Sequence, residues 1–92
     1  METWDSLSQE DQMAQATAAQ TKYGEELMRK AHVQGTAIGL EKVGGKYTSR
    51  VALVVMVDQK VPLEQLTAAN RIPDEVDGVP VDVQEVGVFT AQ

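Results

Sequence analysis

An α/β (α+β) two-layer sandwich, with elements in the order α-β-β-α-β, is the fold this sequence predicts, on three observations. The run Val51-Ala52-Leu53-Val54-Val55-Met56-Val57 is short, β-branched and apolar at every position, the pattern of a strand covered on both faces. A proline-free stretch, Ser8–Ala31, precedes it and is rich in helix formers. Two further strand patterns flank the valine run, one joined to it by Gly44-Gly45 and one by a crossover of about twenty residues. The first connection predicts an antiparallel hairpin, the second a parallel, right-handed crossover strand.

The first element is a long helix. Ser6 and Gln9 have the spacing of a capping box, and Met13, Ala16, Ala19, Tyr23, Leu27 and Ala31 recur at intervals of three and four to form one inward stripe. Alanine dominates its first half, and Gly24 costs about 1 kcal/mol relative to alanine in a helix interior. The helix therefore needs a partner surface, and the alternative is a partly ordered arm that becomes regular only from Thr21 onward.

From Val33 to Val43 the period changes to two, with Thr36, Ile38 and Leu40 on one face and Gly35, Ala37 and Gly39 on the other. So bare a face admits close approach by another backbone, and the alanine-lined helix is its expected occupant. Gly44-Gly45-Lys46 then turns the chain into the central strand. After Lys60, residues 62–70 read as a short helix started at Pro62 and ended at Asn70. Asp74 to Gly78 reads as an acidic loop. Val79, Val81 and Val83 alternate with polar positions as a strand, and Pro80 places it at an edge. Residues 1–92 make one domain: an N-terminal helix or arm over 1–32, a core over 33–87, and 88–92 as a tail, with Val86 to Gln92 a tail or short extra strand.

Fourteen Asp and Glu against eight Lys and Arg give a net charge of -6. That disfavours a phosphate backbone, so no nucleic-acid partner is expected. Residues 33–60 carry four bases and two acids between acidic ends, a distribution that solvated faces or a contact between copies would both produce. Without cysteine there is no disulfide or thiolate metal site. No stretch reaches the length of a membrane span and no signal core is visible, so no membrane contact and a cytoplasmic location are the expectations.

Motifs that carry chemistry are scarce. Lys42 to Thr48 invites a phosphate-loop reading, but Gly39 lies too far upstream and Tyr47 stands where Ser or Thr would hold magnesium. His32 is the sole histidine, which leaves no histidine pair for a metal. A dyad of His32 with Ser49 or a carboxylate stays open, beside the simpler reading of a histidine at a helix C-terminus. Asp74, Glu75, Asp77 and Asp82 lack the alternation of a calcium loop. No cofactor, metal or catalytic residue is therefore expected.

Residues 35–87 carry one likeness. Gly35-Thr36-Ala37-Ile38-Gly39, Gly44-Gly45-Lys46-Tyr47-Thr48, the valine run with Lys60 and Pro62, Arg71-Ile72-Pro73, and Val76-Asp77-Gly78-Val79-Pro80-Val81-Asp82-Val83 to Gly87 together resemble the non-catalytic segment that precedes the catalytic domain of bacterial trypsin-like serine peptidase homologues. That segment usually has a further glycine where this chain has Ala37. The resemblance transfers no catalytic residue and implies an accessory module.

The function expected is a non-enzymatic protein-interaction or self-assembly module, working through an exposed sheet face or edge. A regulatory piece of a trypsin-like peptidase acting on a separate partner is the alternative, and a small enzyme comes third. The candidate interaction surface is Ala52, Val54 and Met56 with Ile38 and Leu40, and the partner is another protein or a second copy in a homo-oligomer.

Overall fold

A computed structural model describes residues 3–87, so the expected tail over 88–92 lies outside the described residues. A 3₁₀ turn at Trp4–Ser6 leads into helix α1 (Gln9–Met28), followed by strands β1 (Val33–Val43), β2 (Lys46–Val57), β3 (Glu75–Val76) and β4 (Val79–Glu85). The sheet order is β1-β2-β4-β3. β1 runs antiparallel to β2, β2 parallel to β4, and β4 antiparallel to β3. The class is α+β, one helix layered on a mixed sheet, as the patterning requires.

Helix α1 starts two residues later than the Ser6 box suggests. Ser8 is the N-cap, its hydroxyl accepting from the Asp11 amide at 3.1 Å, with Glu10 and Asp11 complementing the first turn. The face turned to the sheet is Gln12, Ala16, Ala19, Tyr23 and Leu27, whereas Met13 and Ala31 are exposed. Gln12 displaces Met13 because both ends of its amide are bonded: Nε2 donates to the Trp4 carbonyl at 2.8 Å and Oε1 accepts from the Val51 amide at 3.3 Å.

Val51, Leu53, Val55 and Val57 point toward α1 and form the core with Trp4, Ala16, Ala19, Leu27 and Val79. Alanine at positions 16 and 19 lets the helix lie close to the valines. The expected meeting of this helix with Gly35, Ala37 and Gly39 does not occur. Register pairs Ile38 with Leu53 and Thr36 with Val55, so α1 packs on the Thr36–Ile38 face of β1. The glycines flank Val54 and Met56 on the second face, and a Cβ at Gly35 would stand 3.2 Å from Met56 Cε.

Among the described residues no helix covers that second face. Instead the sheet coils: Cα atoms of β1 and β4 approach within 8 Å, although two strand spacings in a flat sheet would separate them by about 9.5 Å. A bulge between Leu40 and Lys42 bends the hairpin there. Small residues on the inside of the curve, Gly35, Ala37, Gly39 and Ala52, make the bend sterically cheap.

Two glycines with positive φ, Gly44 (57°) and Gly45 (81°), form the hairpin turn. A second such turn, Asp77 (50°) and Gly78 (79°), joins β3 to β4 within the segment expected to be loop. The short helix expected over residues 62–70 is instead two 3₁₀ turns, Leu63–Gln65 and Ala68–Asn70. Nine residues are marginal for a helix, and this segment is tied to the turn that follows α1: the Ala69 carbonyl accepts from Lys30 Nζ at 2.8 Å and Asn70 Oδ1 from the Ala31 amide at 3.0 Å.

Candidate functional site

The five residues expected to form an interaction surface do not share a face. Ala52, Val54 and Met56 lie on the second face of the sheet, with Ala52 at 0% and Val54 at 6% exposure, so the coil of the hairpin already covers most of that surface. Ile38 and Leu40 pair with Leu53 and Val51 and therefore point to the helix side, where Ile38 packs against the core and Leu40 remains exposed. Successive strand residues point to opposite faces and Ile38 stands opposite Leu53, so one surface of these five residues would require a one-residue register shift.

What the structure offers for association is an edge. The Val51 backbone groups are taken by Gln12 and Trp4, and the Val57 carbonyl by the Val86 amide at 2.9 Å, all on the side of β2 away from β1. Antiparallel alternation then turns the N–H and C=O of Leu40, Ile38 and Thr36 outward at the free edge of β1. At the bulged end these groups are occupied. Gln84 Nε2 donates to the Leu40 carbonyl at 3.4 Å and to Asp82 Oδ2 at 2.9 Å, and the same Asp82 oxygen accepts from the Lys42 amide at 2.9 Å. One donor and one acceptor, set against a carbonyl and the amide two residues on, reproduce what an added strand would present. Among the described residues, the edge that remains open is the half containing Thr36 and Ile38. Beside it runs a shallow groove lined by Gln20, Gly24, Glu25, Met28 and Arg29 of α1. A Cβ at Gly24 would meet only Gln20 Cγ at 3.9 Å, so nothing inside the molecule requires glycine there.

A second feature lies where β2 and β4, the parallel pair, end together. His32 Nδ1 and Asp58 Oδ1 are 2.8 Å apart, and the Asp58 amide donates to the His32 carbonyl at 3.0 Å. His32 has φ 71°, a conformation uncommon for a residue with a Cβ, and this two-point attachment to Asp58 holds it there. A carboxylate oxygen can only accept, so the hydrogen of this contact is carried by His32 Nδ1. His32 borders a cleft of about 250 Å³ with Val57, Val61, Leu66, Ile72 and Val83 as apolar lining and Lys60, Asn70 and Asp74 among its polar residues. Ser49 lies at the other end of β2, its carbonyl accepting from Gln9 at 3.3 Å, so the His32–Ser49 pairing does not form.

No protein-family model matches this chain, and no curated protein matches it.

The acidic residues from 74 to 82 disperse. Asp77 accepts from Tyr23 Oη at 2.9 Å and Lys22 Nζ at 3.3 Å, while Asp82 serves β1. The Tyr23 hydroxyl first, and Lys22 second, hold the Asp77 carboxyl below its ordinary range, and Asp77 in turn raises Lys22. Among the described residues no three His, Cys, Asp or Glu converge on a metal position, and no described helix is long and apolar enough to cross a membrane. Arg50 ties the bulge to the N-terminal turn. Its Nη1 donates to Glu41 Oε2 at 3.1 Å, and its Nε lies 2.9 Å from Asp5 Oδ1 without hydrogen-bond alignment, a charge contact only. Sequence patterning missed both the cleft and the edge cap, since each joins residues far apart in the chain.

Proposed function

We propose that this chain is a non-enzymatic protein-interaction module that pairs with a second copy of itself, edge to edge, along the open half of β1. The observation that carries this reading is the outward backbone of Thr36 and Ile38 beside the groove at Gly24. Main-chain hydrogen bonds supply affinity in such pairing, and flanking side chains set register. A two-fold arrangement brings the Glu25 and Arg29 of each groove toward their counterparts, opposite charges in reach of one another. Gly24, unfavourable for the isolated helix, then has a use as clearance for the partner. The reading assigns no reaction to the chain.

Sedimentation equilibrium over a wide concentration range tests the proposal. Wild type is expected to associate reversibly. Thr36→Pro, which removes one outward N–H at an edge position, and Gly24→Leu, which fills the groove while improving helix propensity, are both expected to be monomers with a helical signal like the wild type's. A wild-type chain that stays monomeric, or variants that associate equally, overturns self-pairing. The edge is then left to an extended segment of another protein, which is the accessory role implied by the likeness of residues 35–87 to a peptidase-associated segment.

A further inference from the structure

The cleft below His32 has no part in edge pairing, and its construction suits a ligand. It opens at the carboxyl ends of β2 and β4, the position at which open sheets with parallel strands place their ligand crevices. Its walls are tied in place before anything binds. Lys30 and Ala31 hold Ala69 and Asn70 on one side, and the Lys60 amide donates to Glu85 Oε1 at 2.9 Å on the other. His32 is fixed by Asp58 from both its ring and its carbonyl. The floor, Val57, Val61, Leu66, Ile72 and Val83, is aliphatic.

Charge selects among apolar ligands. Asp58 is engaged by His32, and the Lys60 ammonium has no carboxylate within 4.0 Å among the described residues. Asp74 supplies a single negative charge elsewhere on the lining, so a ligand with a second carboxylate would be repelled. At about 250 Å³ the space falls below the roughly 300 Å³ at which pockets begin to take drug-sized molecules. It accommodates one group of side-chain size.

We propose that this cleft binds a small free monocarboxylic acid with an apolar body, the hydrocarbon on the valine floor and the carboxylate on Lys60. The probe is phenylacetate, followed by amide chemical shifts in the intact chain. Phenylacetate is expected to shift the Val57, Lys60 and Val83 signals with an affinity on the order of millimolar, as suits so few atoms. Phenylacetamide, the same shape without charge, is expected to bind about tenfold more weakly. Lys60→Met and Lys60→Gln should reduce phenylacetate to the level of the amide without moving the melting temperature, and succinate should leave the signals in place. No perturbation at about 20 mM phenylacetate, equal binding of the amide, or unchanged binding in both Lys60 variants overturns the proposal. Preference for N-acetylglycylphenylalanine over phenylacetate also overturns it, by assigning the cleft to a peptide C-terminus. Association measured with Thr36→Pro is independent of every one of these results.

Discussion

The indole Nε1 of Trp4 donates to the backbone carbonyl of Val51 over 2.9 Å. β4 pairs with β2 only from Leu53 onward, so Val51 lacks a strand neighbour on that side. Trp4 and Gln12 stand in for one. The turn ahead of α1 thereby finishes the ladder of the central strand, and its stability is coupled to the sheet.

Trp4→Phe keeps most of the buried apolar volume and deletes the donor. A buried carbonyl left unpaired costs about 1–3 kcal/mol. Urea unfolding is expected to show that loss as a lower midpoint at an unchanged slope. A change below about 0.5 kcal/mol would mean that the Val51 carbonyl is satisfied without the indole.

The cap on the bulged end of β1 is testable through its two side chains. Asp82→Ala with Gln84→Ala frees the Leu40 carbonyl and the Lys42 amide, which lengthens the open edge. Static light scattering is expected to show larger species than wild type forms at equal concentration, since an uncovered edge recruits further strands. Unchanged mass would mean that the bulge alone closes this part of the edge.

Asp77 gives the fold a dependence on acid. Its carboxyl titrates below the ordinary 3.8 because Tyr23 and Lys22 bond to the charged form. A group depressed in the folded state stabilises above its unfolded value, and that contribution disappears as pH falls through the folded one. Tyr23→Phe should bring the Asp77 carboxyl, followed by its side-chain carbon resonance, back toward 3.8. The variant's melting temperature should then fall less than that of wild type between about pH 5 and pH 2. Equal pH dependence in both chains would remove Tyr23 as the cause.

The directions of the longer strands were legible because each rests on a local signal: Gly44-Gly45 for the hairpin, the crossover length for parallel pairing, and seven apolar residues for a strand with two buried faces; the edge position read from Pro80 was not met, because β3 pairs on the outer side of β4. The Asp77-Gly78 pair carried an equally strong hairpin signal, hidden by the acids around it, and β3 was missed for that reason. Periodicity alone favoured Met13 over Gln12 on the inner stripe, since it scores polarity and cannot foresee that both ends of one amide meet backbone partners. The same limit explains the split of Ile38 and Leu40 from Val54: parity within each strand was correct, but which parity faces the helix depends on register between strands. The His32–Asp58 pair spans 26 residues, and neither residue carries a motif that would join them in advance.

A consequence follows from the Asp82–Gln84 cap. It leaves β1 half an edge, and the opposite margin of the sheet offers only a two-residue strand closed by its own turn. A building block with one usable side can be matched once, after which nothing remains to extend the row. Under the proposed self-pairing such an assembly stops at two, with two polar side chains guarding against fibre growth in place of an extra layer of protein.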